Sequence, residues 1–376
     1  MIPALSAVIP SAGLSSRMHQ FKPLLSFGDL SMVEVVIRLF QSCGIQDILV
    51  VTGFNHDLLE PIVQKAGARA LFNPDFETGM LGSIQTGAAQ VSPESLGFFL
   101  LPVDIPAIRP GTIRTLASAF KPPFETIILP EFDKICGHPP LIPARLIPRI
   151  LAMDPTSNLG ELLLSQKQHQ VRHPVHDRGT LMDADTKDAY DLLLEKYRRM
   201  DIPDTEECGS IIRALLPGED AIQSHLALVA AVAEKLARAI ENNPNHTAET
   251  PGPVRLDKQL IQAAALLHDI KRKEKNHAAA AGRFLKNLGF DRVADIVADH
   301  MTLVPGENLT EKEIVYFADK LCNGSQVDPC YTQRFTDKIK QAPGAERQIV
   351  HRYETTRHIQ ARIEAAAGCS IRTLLQ

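Results

Sequence analysis

The first half of the chain alternates between short, apolar runs and longer stretches whose apolar positions recur at helical spacing. Ala4–Pro10 (ALSAVIP) reads as a strand, followed by a glycine-bearing turn and a helical stretch over Met32–Cys43. Asp47–Thr52 (DILVVT) is the next β-rich run, and the helix-like His56–Ala66 follows it. Phe98–Val103 (FFLLPV) and Thr126–Leu129 (TIIL) read as further buried strands, each ahead of a Pro or an acidic residue. Strand, turn, helix and strand repeated in this way predict an α/β domain over residues 1–197, Rossmann-like with a mostly parallel sheet. In such sheets ligands sit beyond the carboxyl ends of the strands.

After Tyr197 the pattern changes. The polar stretch 198–209 (RRMDIPDTEECG) reads as a linker, and residues 210–376 read as an all-α domain. Ala221–Ile240, Leu256–Asp269, Ala278–Leu288 and Val293–His300 carry apolar residues at helical spacing, and β-branched runs nearly vanish. Asn242–Val254 is a loop by composition, and no internal repeat or low-complexity tract interrupts the pattern.

Length agrees with this division, since 376 residues suit two domains better than one. Lys+Arg 40 against Asp+Glu 44 leaves a net charge of −4 with no run of like charge. A nucleic-acid coat or a basic membrane binder needs concentrated positive charge, so neither nucleic acid nor membrane is expected as a partner. A nucleotide substrate needs only a few local cations and stays open. The six cysteines are scattered without a CxxC pair, which suggests free thiols of a reduced compartment rather than a zinc knuckle or disulfides. No window approaches the roughly 20 apolar residues of a membrane helix, and the first residues lack the basic start of a signal peptide. A cytoplasmic protein is expected.

The stretch Ser11-Ala12-Gly13-Leu14-Ser15-Ser16-Arg17-Met18, continuing to Lys22-Pro23-Leu24-Leu25, carries the most chemistry. Its small residues let backbone N–H groups approach a phosphate, and Arg17 and Lys22 add fixed positive charge. The segment resembles the LAAGxSxRMGxxKxLL signature of nucleotidyltransferases that act on sugar phosphates and on the molybdenum cofactor. Further pieces follow in order: Asn73-Pro74, Gly79-Met80 with Ser83 and Gly87, and Pro102-Val103-Asp104-Ile105-Pro106. Gly137-His138-Pro139 and Met182-Asp183-Ala184-Asp185-Thr186 with Asp188 complete the set. Together they resemble the molybdenum cofactor cytidylyltransferase branch of the MobA-like NTP transferases over nearly all of residues 1–197.

The resemblance implies transfer of CMP from CTP to the phosphate of molybdopterin, with pyrophosphate released and a molybdenum hydroxylase apo-enzyme as downstream partner. It favours cytidine, because relatives that use GTP carry a second glycine where this chain has Ala12. It assigns nucleotide binding to Ser11, Ala12, Gly13, Ser15, Ser16, Arg17, Lys22, Gly79 and Ser83. Arg17, Lys22 and Asp104 become the catalytic set, and Gly137, His138 and Pro139 lie over the pterin-side substrate. Such transfer needs charge neutralisation and in-line alignment rather than covalent work by the protein. Asp104, after an apolar strand, suits Mg²⁺, a hard cation that prefers carboxylate oxygen. By resemblance, Asp183 or Asp185 supplies the second carboxylate. The chain departs from the pattern at Ser11 for Ala, His19 for Gly, the inserted Pro23 and the missing Gln after Asp104, none of which removes a needed charge. Two alternatives remain open at this point: transfer to a sugar phosphate or phospho-alcohol, and a non-catalytic cofactor carrier with a regulatory second domain.

In the second half, His268-Asp269 follows the apolar Leu260–Leu267, so an imidazole and a carboxylate can reach one metal from a helix end. His225 lies upstream on an apolar helix and Asp319 downstream in Val315–Asp319. The order His…His-Asp…Asp resembles the HD-domain metal-dependent phosphohydrolases over roughly residues 210–325. His277 and His300 fit the version of that family that holds two metals. The resemblance implies one or two divalent metals (Fe, Mn, Ni or Co) that lower the pKa of a water and clamp a phosphate. Arg272 stands after Lys271 where the family often has Lys, which keeps the charge but changes the donor geometry.

Overall fold

The structure is a computed structural model that describes residues 3–13, 20–243, 255–342 and 344–375. It divides into two units, Met1–Met200 and Asp201–Gln376, each with its own core. The first begins with β1 (Leu5–Ser11), a hairpin of β2 (Ser26–Phe27) and β3 (Leu30–Ser31), α1 (Met32–Ser42), β4 (Asp47–Thr52), α2 (His56–Lys65) and β5 (Arg69–Phe72). Next come α3 (Met80–Ala88), β6 (Gly97–Leu100), α4 (Pro110–Ala119), β7 (Ile127–Phe132), β8 (Ile135–Cys136) and β9 (Leu141–Pro143). It ends with α5 (Ile147–Leu151), α6 (Leu159–Ser165), β10 (Gln170–Pro174) and α7 (Lys187–Arg198).

The main sheet runs in the order β10-β7-β9-β6-β1-β4-β5, with β8 paired to β7. β6, β1, β4 and β5 are mutually parallel, as is the β7–β10 pair, while β9 is antiparallel to both β6 and β7. The central strands β1 and β6 are buried at every residue because helices cover both faces. Ala7, Ile9, Ile48, Val50 and Phe99 join one core with Val33, Val36, Ile37 and Phe40 of α1. Their neighbours Val8, Leu49, Val51 and Phe98 join the opposite core with Leu81, Ile84 and Ala88 of α3. Gly87 lets α3 lie directly on β1, since a Cβ there would come within 2.4 Å of Val8 Cγ1. The run expected as a strand over Phe98–Val103 stops at Leu100, because Pro102 has no N–H to give. Leu101 and Val103 nevertheless donate to the carbonyls of Val8 and Pro10, so the segment carrying Asp104 stays alongside the end of β1.

Among the described residues the second unit is helical apart from one short hairpin. α8 (Thr205–Leu215), α9 (Asp220–Glu241), α10 (Lys258–Leu267), α11 (His277–Leu288), α12 (Asp291–Asp299) and α13 (Glu311–Leu321) lead to the hairpin of β11 (Cys322–Asn323) and β12 (Gln326–Val327). α14 (Thr332–Gln341), α15 (Glu346–Ala367) and α16 (Ile371–Leu375) follow. One correction concerns the boundary. Residues 201–209 are not a linker: α8 starts inside them on an Asp204–Glu207 capping box, and Ile202 and Cys208, each 1% exposed, belong to the second core. Their acidic, proline-bearing composition is that of a helix start rather than of a free connection. Most of the expected loop Asn242–Val254 falls on residues outside the described ones.

No helix among the described residues is long and apolar enough to cross a membrane. No disulfide joins any of the six cysteines.

Candidate functional site

At the carboxyl end of β1 the chain turns through Ser11, Ala12 and Gly13, and these three line one cleft with Lys22, Gly79, Ser83 and Asp104. Ser15, Ser16 and Arg17 lie outside the described residues. The cleft groups come from several separate elements. Lys22 sits in a 3-10 turn over Lys22–Leu24, Asp104 follows β6, and Gly79 (φ +136) opens α3 in a conformation that favours glycine. Ser83 is on α3, where its hydroxyl accepts from the Asn73 amide at 3.1 Å. The Ser11 hydroxyl is buried and has no hydrogen-bond partner.

The decisive contact links residues far apart in sequence. The Lys22 ammonium, 12% exposed, donates to Asp104 Oδ2 at 3.1 Å and to Asp185 Oδ1 at 2.7 Å. Burial alone would lower the Lys22 pKa, but the bonds and charges of Asp185 and Asp104 outweigh it and hold the amine above its ordinary value. The Asp183–Asp185 loop is fixed by the Ala184 N–H, which donates to the Asp104 carbonyl at 3.0 Å. Within this loop Asp183 Oδ1 accepts from the Asp185 N–H at 3.1 Å. Asp104 and Asp185, close enough for one ammonium to span, are a hard-oxygen pair that fits a cation such as Mg²⁺.

Gly137, His138 and Pro139 follow the β7–β8 hairpin. The Gly137 site admits no side chain, because a Cβ would lie 2.4 Å from the Thr180 carbonyl oxygen. The same carbonyl accepts from the His138 N–H at 2.8 Å. His138 feels the charges of Asp104 and Asp183, yet burial outweighs them and keeps the imidazole below its ordinary pKa. Its Nδ1 is buried without a partner. Pocket, carboxylates and the Gly137–Pro139 loop therefore come together at one end of the sheet.

In the second unit the predicted residues form a second, denser cluster. His268 caps α10 and is wholly buried, Asp269 follows it, His300 caps α12, and His225 projects from α9. Each of these three imidazoles is tethered through Nδ1 to a carbonyl: His268 to Ala265 at 2.8 Å, His300 to Val297 at 2.7 Å, His225 to Gly324 at 3.2 Å. A carbonyl can only accept, so Nδ1 carries the proton and a neutral ring turns its lone pair out at Nε2. All three Nε2 atoms are buried and lack a hydrogen-bond partner. They face acids instead, with Asp319 Oδ1 3.3 Å from His225 and 3.6 Å from His268, and Asp269 Oδ1 3.3 Å from His277 and 3.5 Å from His300.

Two sets of ligand atoms result, each within 4.8 Å: His225, His268 and Asp319, and Asp269, His277 and His300. Orphaned imidazole lone pairs beside carboxylates are the donor set that divalent transition metals prefer. The electrostatics agree. Burial would lower the His268 pKa, but Asp319 and Asp269 raise it above its ordinary value, so the acids draw positive charge into a dry site. Asp269 is pressed below the usual carboxylate range, despite its burial, by the approach of His300 and the charges of His268 and Arg272. Arg272 donates to Asp269 Oδ2 at 2.6 Å, and Lys320 to Asp319 Oδ2 at 2.6 Å. Lys320 was not among the residues singled out in the sequence, where a lysine beside an acid carries no signal of its own.

Comparison with known proteins finds a different family model for each unit. The family model described as MobA-like NTP transferase domain matches residues 7–171, and the HD domain model matches residues 222–324. The two matches fall one in each unit, the transferase model on the first and the HD model on the second. The molybdenum cofactor cytidylyltransferase of Escherichia coli (strain K12) is 27% identical over 196 residues, 52% of this chain and 97% of that protein. A nucleotidyl transferase from Methanothermobacter thermautotroptrophicus aligns with a TM-score of 0.47 at 19% identity, covering 52% of this chain and 98% of that one. A cytidylyltransferase from Leptospira borgpetersenii gives 0.43 at 14% identity, covering 51% and 85%. The transferase-domain match stops short of Asp183 and Asp185, and the HD match stops before α14 and α15.

Proposed function

We propose that the transferase domain moves CMP from CTP to molybdopterin, and that the HD domain hydrolyses a phosphoester, both in the cytoplasm. The observation that carries the first reading is Lys22 held against Asp104 and Asp185 beside the β1 turn. The E. coli relative named for cytidylyl transfer to the molybdenum cofactor supplies the substrate pair.

In this reading Ser11, Ala12 and Gly13 meet the phosphates with backbone N–H groups, and the resemblance gives Ser15, Ser16 and Arg17 a share in nucleotide binding. The phosphate oxygen of molybdopterin attacks the α-phosphorus of CTP, and the bond to the β-phosphate oxygen breaks to release pyrophosphate. A triphosphate competes with Asp104 and Asp185 for the Lys22 ammonium, which then neutralises the charge that gathers on the departing pyrophosphate. Held by the freed carboxylates, Mg²⁺ would add further neutralisation. His138, neutral and buried next to Asp104 and Asp183, bounds the acceptor side with Gly137 and Pro139.

Measuring pyrophosphate release from CTP tests the assignment. Release only when molybdopterin is added supports it, release with a sugar phosphate instead moves the enzyme to the neighbouring class, and no release with any acceptor leaves a carrier.

The HD reading rests on the three orphaned Nε2 atoms. Metals on the two ligand sets, His225–His268–Asp319 and Asp269–His277–His300, would supply a clamp for phosphate and a water of lowered pKa. The tethered rings hold the ligand geometry, and Arg272 and Lys320 keep Asp269 and Asp319 ionised. Water adds to phosphorus, the bond to the ester oxygen breaks, and the proton lost by the water ends on the departing alcohol. Turnover of para-nitrophenyl phosphate by the manganese-loaded chain checks this activity.

A further inference from the structure

The ligand cluster of the HD domain opens into a cavity of about 950 Å³, far more than a single phosphate fills. Its outer wall comes from α14 and α15, beyond the matched region 222–324. There Arg334, Lys338 and Arg352 line the space together with Lys320 and Arg272. These cations differ in what they already hold. Arg334 spends its guanidinium on the backbone carbonyls of Cys322 and Lys320, and Lys320 and Arg272 are paired to Asp319 and Asp269. Among the described residues, no hydrogen bond or ion pair engages the Lys338 ammonium or the Arg352 guanidinium. The acids on the same wall are occupied locally, Asp328 by the Cys330 N–H and Asp337 by the Gln333 amide.

Lys338 is crowded as well. Burial lowers its pKa most, the like charges of Arg334 and Lys320 each outweigh the opposing charge of Asp319, and Arg352 adds a smaller push in the same direction. Two cations that repel one another at the rim of a metal-ligand cluster are relieved by an anion that spans them. One phosphoryl group on the metal ligands does not use them. A second one does.

We propose that this cavity takes a substrate carrying two linked phosphoryl groups, the scissile one on the His/Asp cluster and the other against Lys338 and Arg352. The proposal rests on the phosphohydrolase reading for its scissile position, whereas the second subsite is a statement about binding. Free pyrophosphate and a nucleoside diphosphate share the required chemistry.

Equilibrium binding to the manganese-loaded full chain tests it, in a Lys22→Ala background that weakens phosphate binding by the transferase domain. Inorganic pyrophosphate should bind at least about tenfold tighter than inorganic phosphate. The Lys338→Ala/Arg352→Ala variant should lose at least about tenfold for pyrophosphate and less than about threefold for phosphate, with Arg352→Lys recovering part of the difference. ADP binding as tightly as pyrophosphate would identify a nucleoside diphosphate as the source, and binding of pyrophosphate alone would identify the free anion. Equal binding of phosphate and pyrophosphate, or equal losses for both in the double variant, would overturn the proposal. Failure to hydrolyse para-nitrophenyl phosphate with the pyrophosphate preference intact would remove the phosphohydrolase reading and leave the subsite standing.

Discussion

Three imidazoles of the HD domain are each tethered through Nδ1 to a carbonyl at or near a helix end, whereas the charged groups of the transferase cleft hang from loops and hold one another. The HD cluster is assembled without a substrate: tautomers set and lone pairs converging on its two carboxylates. The transferase cluster is internally satisfied, with Lys22 filling the space between Asp104 and Asp185. Taking a metal there requires that the lysine be drawn off, and a triphosphate is the group able to do so. A resident metal calls for a preorganised donor set, while a metal that arrives with its nucleotide is served by carboxylates that wait on a lysine.

The largest effect should come from breaking the preorganised cluster. Asp269 faces His268, His277, His300 and Arg272, so Asp269→Ala should abolish phosphoester hydrolysis and strip most of the bound metal. Elemental analysis of the purified chain should find two metals in the parent and about one in His300→Ala. Cytidylyl transfer in Asp269→Ala should stay within about twofold, since the domains have separate cores. A large loss of transfer would show that the two sites are coupled.

The loop-held cleft should respond to charge rather than to packing. Asp104→Asn keeps the size and removes the charge that both Lys22 and an incoming cation need, so kcat for transfer should fall at least about a hundredfold. Lys22→Ala should raise KM for the triphosphate and lower kcat together. Near-normal turnover in Asp104→Asn would mean that the carboxylate pair is structural.

Much of this contrast was legible in the sequence, and unevenly so. Asp47–Thr52 and His277–Leu288 emerge within a residue of their expected bounds, because burial on both faces and a clean amphipathic stripe leave a local trace. The HD ligands could be gathered by family order alone. The Lys22–Asp185 contact could not, since 163 residues separate the partners and only the fold brings them together. α15 was also missed. Its polar 22-residue sequence offers the core little beyond Ile359 and Ile363, and its placement is a tertiary effect. With α15 unseen, the cationic wall carrying Arg352 had no sequence signal either.

Acid should separate the two domains a third way. In the transferase domain burial pushes His176 down to about 4, against only a small opposing effect of Asp133. A histidine depressed in the folded state binds its proton later than the unfolded chain does. Stability from this group is therefore full above about pH 6.5 and is lost as pH falls toward about 4, by roughly 2 to 3 kcal/mol. The transferase-domain transition followed by calorimetry should shift down across that window, and His176→Gln should flatten the shift. The HD domain should respond to the same acid chiefly by releasing metal. An unchanged slope in His176→Gln would assign the acid loss to other groups.

The smallest effect concerns which nucleotide enters the loop-held cleft. Ala12 is buried, and its Cβ lies 2.9 Å from where a side chain at Gly53 would begin, so the wall beside the turn is already filled. Phe76 closes the same corner, 2.5 Å from that position. By the resemblance, a second glycine at residue 12 goes with use of the larger purine, and the methyl of Ala12 goes with cytidine. CTP should therefore be preferred to GTP by about tenfold or more in kcat/KM, which corresponds to about 1.4 kcal/mol. Ala12→Gly should narrow that preference while leaving transfer from CTP largely intact, because no charge near the phosphates changes. Competition between the two nucleotides in one reaction reads the ratio directly. Equal use of both by the parent chain would remove cytidine as the substrate and leave the charge machinery of Lys22, Asp104 and Asp185 in place.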